Sequence, residues 1–138
     1  MTTNQTAVRW GIIGTGNIAH AFVRGLAEAP GARAAAVASR SADGAEAFSA
    51  ELAGQRSHAS YEALAEDPQI DVVYVATPHA DHFASAAMCL EAGKHVLCEK
   101  PLAPTVAACE SMVAAAQRHG IHLVEAFMYR NHPQWTYV

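Results

Sequence analysis

Glu99 and Lys100 stand side by side where the apolar run His95-Val96-Leu97-Cys98 meets Pro101. A carboxylate beside an ammonium at the end of a strand is the acid–base pair that alcohol–ketone chemistry needs. The carboxylate can hold a hydroxyl, and a partly desolvated lysine of lowered pKa can polarise or protonate an oxygen. The same two residues would also make an ordinary surface ion pair, with a proline ending the strand. Their chemistry alone leaves both readings open. Near the N-terminus, Val8-Arg9-Trp10-Gly11-Ile12-Ile13 runs into Gly14-Thr15-Gly16-Asn17-Ile18-Ala19, a G-x-G-x-x-A turn between a strand pattern and a helix pattern. Each residue type there serves the binding of a dinucleotide pyrophosphate. Gly14 permits the tight turn, Gly16 has no Cβ to block the anion, and small Ala19 lets the helix pack on its strand. The helix N-terminus adds free N–H groups.

With a dinucleotide in that turn, the ends of the other strands acquire roles. The second strand ends Ala38-Ser39-Arg40-Ser41, about twenty residues past the glycines, where NAD-selective sites place a carboxylate on the ribose hydroxyls. Here no acid occurs before Asp43. Ser39 and Ser41 can donate hydrogen bonds instead, and Arg40 can pair with a 2′-phosphate and stack on adenine. NADP(H) is therefore expected in preference to NAD(H), the alternative being an arginine on a solvated loop. The fourth strand ends Ala76-Thr77-Pro78-His79, at the C-terminal rim where open α/β sheets bind ligands. Thr77 offers a hydroxyl to the cofactor ribose there, and Glu99 on the same rim can hold the nicotinamide ribose.

Other reactive side chains read as structural. His79 with His82, and His95 with Cys98, have spacings seen among zinc ligands. Residues three apart on a strand face opposite sides, however, so no metal is expected. Cys98 reads as inert strand packing. His20, His58, His119 and His122 lack companions in the sequence.

The elements that must position these residues alternate almost without interruption. Strand patterns occur at residues 8–13, 33–38, 71–76, 95–98 and 121–125, with a weaker short strand near Ser57-His58. Helix patterns occur at residues 17–28, 43–52, 61–66, 80–91 and 105–118. Pro30-Gly31, Gly93 and Gly120 punctuate them where helix ends favour glycine. The runs 71–76 and 95–98 are nearly all apolar, as expected when both faces of a sheet are covered. Such alternation predicts an α/β fold, a doubly wound parallel sheet of Rossmann type in a single domain.

Composition agrees. The chain has 138 residues, 51% hydrophobic and 16% charged with a net charge of −4, which suits one packed domain and gives no polyanion footprint. No nucleic-acid partner is expected. Three cysteines without a C-x-x-C pair fit reduced thiols. The start of the sequence has no signal-peptide character, and no apolar run approaches the roughly 20 residues that span a membrane. A cytoplasmic protein is expected.

Taken together, these residues resemble the Gfo/Idh/MocA family (glucose–fructose oxidoreductase, inositol dehydrogenase and their relatives). The resemblance rests on Gly11 to Ala19, on Ala76-Thr77-Pro78-His79 with His82, on Ala92 to Leu102 with its Glu99-Lys100-Pro101, and on Glu125 to Arg130. The last segment and Ser39-Arg40 look most like the NADP-dependent branch acting on sugars and cyclic diols. The resemblance implies that Lys100 is catalytic and that Glu99 shapes the nicotinamide site. It implies further that Thr77, Pro78 and His79 line the cofactor rim, with Arg130 near the nicotinamide end. Gly14, Thr15, Gly16, Asn17, Ile18, Ser39 and Arg40 complete the expected cofactor set.

Members of that family look at least twice as long, with a second domain that selects a carbohydrate-like substrate. Residues 1–6 are accordingly read as a disordered N-terminus and 7–126 as the dinucleotide-binding domain. Residues 127–138 are read as the start of a connection to a substrate domain outside this sequence. Such a chain is expected to bind cofactor with little turnover of its own. The apolar tail around Phe127, Met128, Tyr129, Trp135 and Tyr137 would then invite self-association. A non-catalytic nucleotide-sensing or partner-binding module is the competing reading, although it leaves Lys100 without a purpose.

Overall fold

A computed structural model describes residues 7–51 and 55–137. The expected disordered stretch 1–6 and the helix end at Leu52 lie outside the described residues. Strand β1 (Val8–Ile13) is followed by helix α1 (Asn17–Ala27), β2 (Ala32–Ala38), α2 (Ala42–Glu51), β3 (Arg56–His58) and α3 (Tyr61–Ala65). The second half runs β4 (Val72–Val75), α4 (His82–Glu91), β5 (His95–Cys98), α5 (Val106–His119) and β6 (Leu123–Glu125). All pairings are parallel, in the order β3-β2-β1-β4-β5-β6. This is the doubly wound sheet that the alternation predicts, with the reversal of strand order falling between β1 and β4.

Local chemistry sets the ends of the elements. Ser60 and Thr105 sit in extended backbone just before α3 and α5, where their side chains accept the N–H of Ala63 and Ala108. These are N-caps that supply partners to otherwise orphaned helix donors. At the far end of α5, Gly120 takes the left-handed conformation, φ +63°, that lets the chain turn out of the helix. The helix expected from residue 80 opens instead with a 3₁₀ turn, His79–Asp81, and becomes α-helical at His82. Pro78 supplies the extended residue from which that turn starts. The last strand is shorter than the apolar run beginning at Ile121, because only Leu123 to Glu125 find partners on β5.

The two faces of the sheet are covered unequally. On one face Val73 and Val75 of β4 and Val96 and Cys98 of β5 pack against Leu64 of α3, Leu90 of α4 and Met112 of α5. Gly11 belongs to this packing: a Cβ there would lie 2.7 Å from Leu64 Cδ2, so the strand residue must be small for α3 to lie close. On the other face Ala19 and Val23 of α1 and Phe48 of α2 cover Ile12 and Val37. Among the described residues no helix continues that cover over β5 and β6. Trp10, Val72, His95, Leu97 and Val124 instead line an open apolar hollow of about 520 Å³. The nearly all-apolar runs of β4 and β5 predict two covered faces, and the described residues supply one and a half.

Candidate functional site

The chain turns sharply at the end of β1. Gly14 has φ +99°, and a Cβ there would lie 2.5 Å from the carbonyl oxygen of Ala76, just past the end of β4. Both backbone conformation and crowding therefore demand glycine. At Gly16, by contrast, a Cβ would meet nothing within 4 Å. Gly16 is the residue before α1 and has no side chain to cap it; the helix's first turn contains no acid. Uncapped N–H groups and the positive end of the helix dipole thus face an open space, the arrangement that receives an anion.

That space is a cavity of about 370 Å³ lined by Gly14, Thr15, Gly16, Ser39, Arg40, Tyr61, Ala76, Thr77 and Pro78. The ends of β1, β2 and β4 converge there because the strand order reverses between β1 and β4. Arg40 is exposed, with its guanidinium 3.9 Å from Asp81. Ser41 accepts the N–H of Gly44 and so shapes the start of α2. Thr77 is 6% exposed, and its buried hydroxyl has no hydrogen-bond partner among the described residues. A buried hydroxyl without a partner is costly unless something else satisfies it. Glycine crowding, the open helix end and the orphan hydroxyl all fit a dinucleotide pyrophosphate and ribose.

Further along the rim, Glu99 is buried at 7% exposure. Its Oε1 accepts the hydroxyl of Tyr74 at 2.7 Å, and its Oε2 accepts the backbone N–H of Lys100 at 3.2 Å. The surface ion pair that the sequence leaves open is therefore not what forms at Glu99. Lys100 is exposed and joined to Pro101 by a cis peptide bond. Glu99 lines a second cavity, about 270 Å³, with Ile18 and Phe22 of α1, Leu97, Val124 and Phe127. Burial and the neighbouring carboxylate push the Tyr74 hydroxyl well above its ordinary pKa, so it remains a donor.

His82 ties this rim together. Its side chain is fully buried, and its ring nitrogens lie 2.7 Å from the Pro101 carbonyl oxygen and 2.9 Å from that of Thr77. The fold thus gathers Gly14, Thr15, Gly16, Ser39, Arg40, Thr77 and Pro78 at one cavity and Ile18 and Glu99 at the next. Asn17 and His79 are exposed at element starts and line neither cavity. Arg130 is exposed in the 3₁₀ turn Met128–Asn131 and also lines neither. Sequence reasoning misses Tyr61, which enters the first cavity from α3, and Tyr74, whose bond to Glu99 joins neighbouring strands.

The remaining histidines correct the expectation that they lack companions. His20 lies 3.2 Å from Glu51, His58 3.1 Å from Asp67 and His119 3.1 Å from Glu91, while His122 stacks on His95. The fold brings these partners from other elements. Among the described residues no three His, Cys, Asp or Glu side chains are grouped to hold a metal. Cys89 and Cys98 are buried, with burial pushing each thiol up to about 12. No helix among the described residues is long and apolar enough to cross a membrane. Met128, Tyr129, Trp135 and Tyr137 are exposed.

Parallel sheet, switch-point crevice and glycine turn define a dinucleotide-binding Rossmann domain. Residues 8–127 match the family model described as the oxidoreductase family with an NAD-binding Rossmann fold, and the chain belongs to this Gfo/Idh/MocA family. It is 41% identical over 129 residues to trans-1,2-dihydrobenzene-1,2-diol dehydrogenase of Mus musculus, covering 92% of this chain and 39% of that protein. An uncharacterized oxidoreductase of Rhizobium meliloti is 42% identical over 129 residues, with coverage of 93% and 39%. The chain therefore spans about two fifths of the length of these relatives. Among solved structures, KijD10, a 3-ketoreductase from Actinomadura kijaniata in complex with NADP and TDP-benzene, superposes with a TM-score of 0.90 at 36% identity. That match covers 95% of this chain and 40% of the ketoreductase.

Proposed function

We propose that this chain is the cofactor-binding part of an NADP(H)-dependent oxidoreductase that acts on a sugar, polyol or cyclic diol. Residues 7–126 form the binding domain, and residues 127–138 begin a connection to a substrate domain. The observation that carries the reading is the crevice itself. A glycine turn forced by crowding, an open helix N-terminus and an orphan Thr77 hydroxyl meet Arg40 at the end of β2. Relatives named as dihydrodiol dehydrogenases and a ketoreductase solved with NADP support the substrate and cofactor classes.

In this reading Gly14, whose own N–H donates to the Ala38 carbonyl oxygen, shapes the turn, and Thr15, Gly16, Asn17 and Ile18 hold the pyrophosphate through backbone N–H groups. Ser39 and Arg40 take the 2′-phosphate, and Arg40 must leave Asp81 to do so. Thr77, Pro78 and His79 border the ribose and nicotinamide, Glu99 accepts ribose hydroxyls, and Arg130 stands at the nicotinamide end. When bound, the nicotinamide supplies the hydride acceptor or donor. Lys100 is the catalytic residue, holding the substrate oxygen and exchanging its proton. Turnover by the chain alone is expected to be low, because both reactants must be held in near-attack geometry.

Calorimetric titration of the chain with NADP+ and with NAD+ tests the reading. NADP+ should bind the more tightly, and Arg40→Ala should erase most of that preference. A lost charge-assisted pair to phosphate corresponds to about tenfold or more in affinity. Equal affinity for the two dinucleotides, unchanged in the variant, would remove Arg40 from the role assigned.

A further inference from the structure

Tyr74 lies beside Glu99 at the nicotinamide end of the proposed crevice, on the wall of the same cavity and away from the pyrophosphate cradle. It belongs to β4, opposite Leu97 in the parallel register, and its ring stacks on Phe22 of α1 with centroids 3.9 Å apart and planes 19° from parallel. Only 2% of Tyr74 is exposed, so its ring has little freedom. Its hydroxyl donates to Glu99 Oε1 at 2.7 Å, while the Lys100 N–H donates to Oε2 at 3.2 Å. A carboxylate is an acceptor only, which fixes the direction of both bonds. Each oxygen thus takes one donor from the protein and retains capacity for a second from the cavity that Glu99 lines. A buried carboxylate needs such partners to remain in place.

We propose that Tyr74 is a positioning residue: it fixes the Glu99 carboxylate as a preorganised acceptor for the vicinal hydroxyls of the cofactor's nicotinamide ribose. This inference rests on the reading of the crevice given above. It assigns to Tyr74 a role in dinucleotide binding that is exerted wholly through Glu99. The aromatic stack on Phe22 supplies the rigidity, and the hydroxyl supplies the aim. The adenylate half of the cofactor, bound at Ser39 and Arg40, lies outside its influence.

The test compares two probes on the same chain, NADP+ and adenosine 2′,5′-bisphosphate, which lacks the nicotinamide mononucleotide half. Tyr74→Phe keeps the ring and the stack and removes only the hydroxyl. It should weaken NADP+ about five- to tenfold, the equivalent of one hydrogen bond, and leave the bisphosphate within about twofold. Glu99→Gln should weaken NADP+ similarly, and the double variant should lose little more than either single one, because both act on one contact. If Tyr74→Phe does not fold, Glu99→Gln carries the same contrast between probes. Equal weakening of both probes would reduce Tyr74 to a packing role, and unchanged NADP+ affinity would overturn the proposal outright. Wild-type chain that binds the bisphosphate but gains nothing from the nicotinamide half would also overturn it, leaving the adenylate site intact. If the wild-type chain binds neither probe, the crevice reading itself fails and takes this proposal with it.

Discussion

The two faces of the sheet use the same strands for different ends. Val73, Val75, Val96 and Cys98 point into a core closed by α3, α4 and α5, and each is at most 2% exposed. One residue earlier in each case, Val72, Tyr74, His95 and Leu97 point the other way, where α1 and α2 cover only part of the sheet. Val124 on that side is 52% exposed. Strand alternation therefore divides stability from access. The closed face supplies most of the apolar burial, and the half-open face lets Glu99 meet a cavity while Tyr74 holds it from below.

The largest contrast between the faces should appear in truncation. Leu90, fully buried on α4, should cost about 2–5 kcal/mol when replaced by alanine, since a cavity opens among α3, α5 and the sheet. Val124→Ala on the open face should stay within about 0.5 kcal/mol, as for exposed sites generally. Urea denaturation of both variants measures the difference. Similar losses would mean that the open face is as well packed as the closed one, and the division drawn above would collapse.

Much of this arrangement can be read in the sequence, for reasons that stop at the sheet's own geometry. The strands Val8–Ile13 and His95–Cys98 form over the full length of their apolar runs, because a glycine turn ends one and a charged pair followed by proline ends the other. Gly31, Gly93 and Gly120 all adopt positive φ after helices. The convergence of Gly14, Gly16, Arg40 and Thr77 follows from topology, since parallel strands in a reversing order must bring those ends together. Tyr74 could not be found this way. Its hydroxyl meets Glu99 only because β4 pairs with β5 in one particular register, and an aromatic residue inside an apolar run reads as core. The open half-face is equally invisible, since apolar strands look alike whether helices cover them or not.

His82 lies on the rim where α4 meets the crevice, and its replacement should produce an intermediate effect. His82→Leu keeps the bulk but removes both ring nitrogens, and with them the contacts that join the buried Thr77 carbonyl oxygen to the part-buried one of Pro101. A loss of about 1–3 kcal/mol is expected, the cost of stranding buried polar groups. Because Thr77 lines the crevice, dinucleotide affinity should fall more than it does in Leu90→Ala measured under conditions where both variants remain folded. Thermal unfolding and titration together check this. Full binding by a destabilised His82→Leu would show that the rim does not depend on the histidine tie.

The smallest effect belongs to an ion pair at the edge of the open face, where acid should reveal it. Arg9 donates to Asp71 through its backbone N–H at 2.8 Å, through Nε at 2.9 Å and through Nη2 at 2.6 Å. These bonds, the side-chain pairing foremost, hold the Asp71 carboxyl down to about 2 against an ordinary value of 3.8. A carboxyl lowered by folding stabilises the native state above its unfolded pKa and loses that contribution as pH falls through the folded value. The wild-type chain should therefore exceed Asp71→Asn in urea midpoint from pH 7 down to about pH 5. The two should then converge between about 4 and 2, where the carboxyl of the wild type becomes protonated. The gap should be small even at neutral pH and should shrink in high salt, because both side chains are about a third exposed. Asp67, also held low against its burial by the Gln69 N–H and then by His58 and Arg56, is common to both proteins and drops out of the difference. Midpoints that run parallel across the whole range would show that the Arg9–Asp71 pair contributes nothing through charge, leaving only its backbone hydrogen bond to register the edge of the sheet.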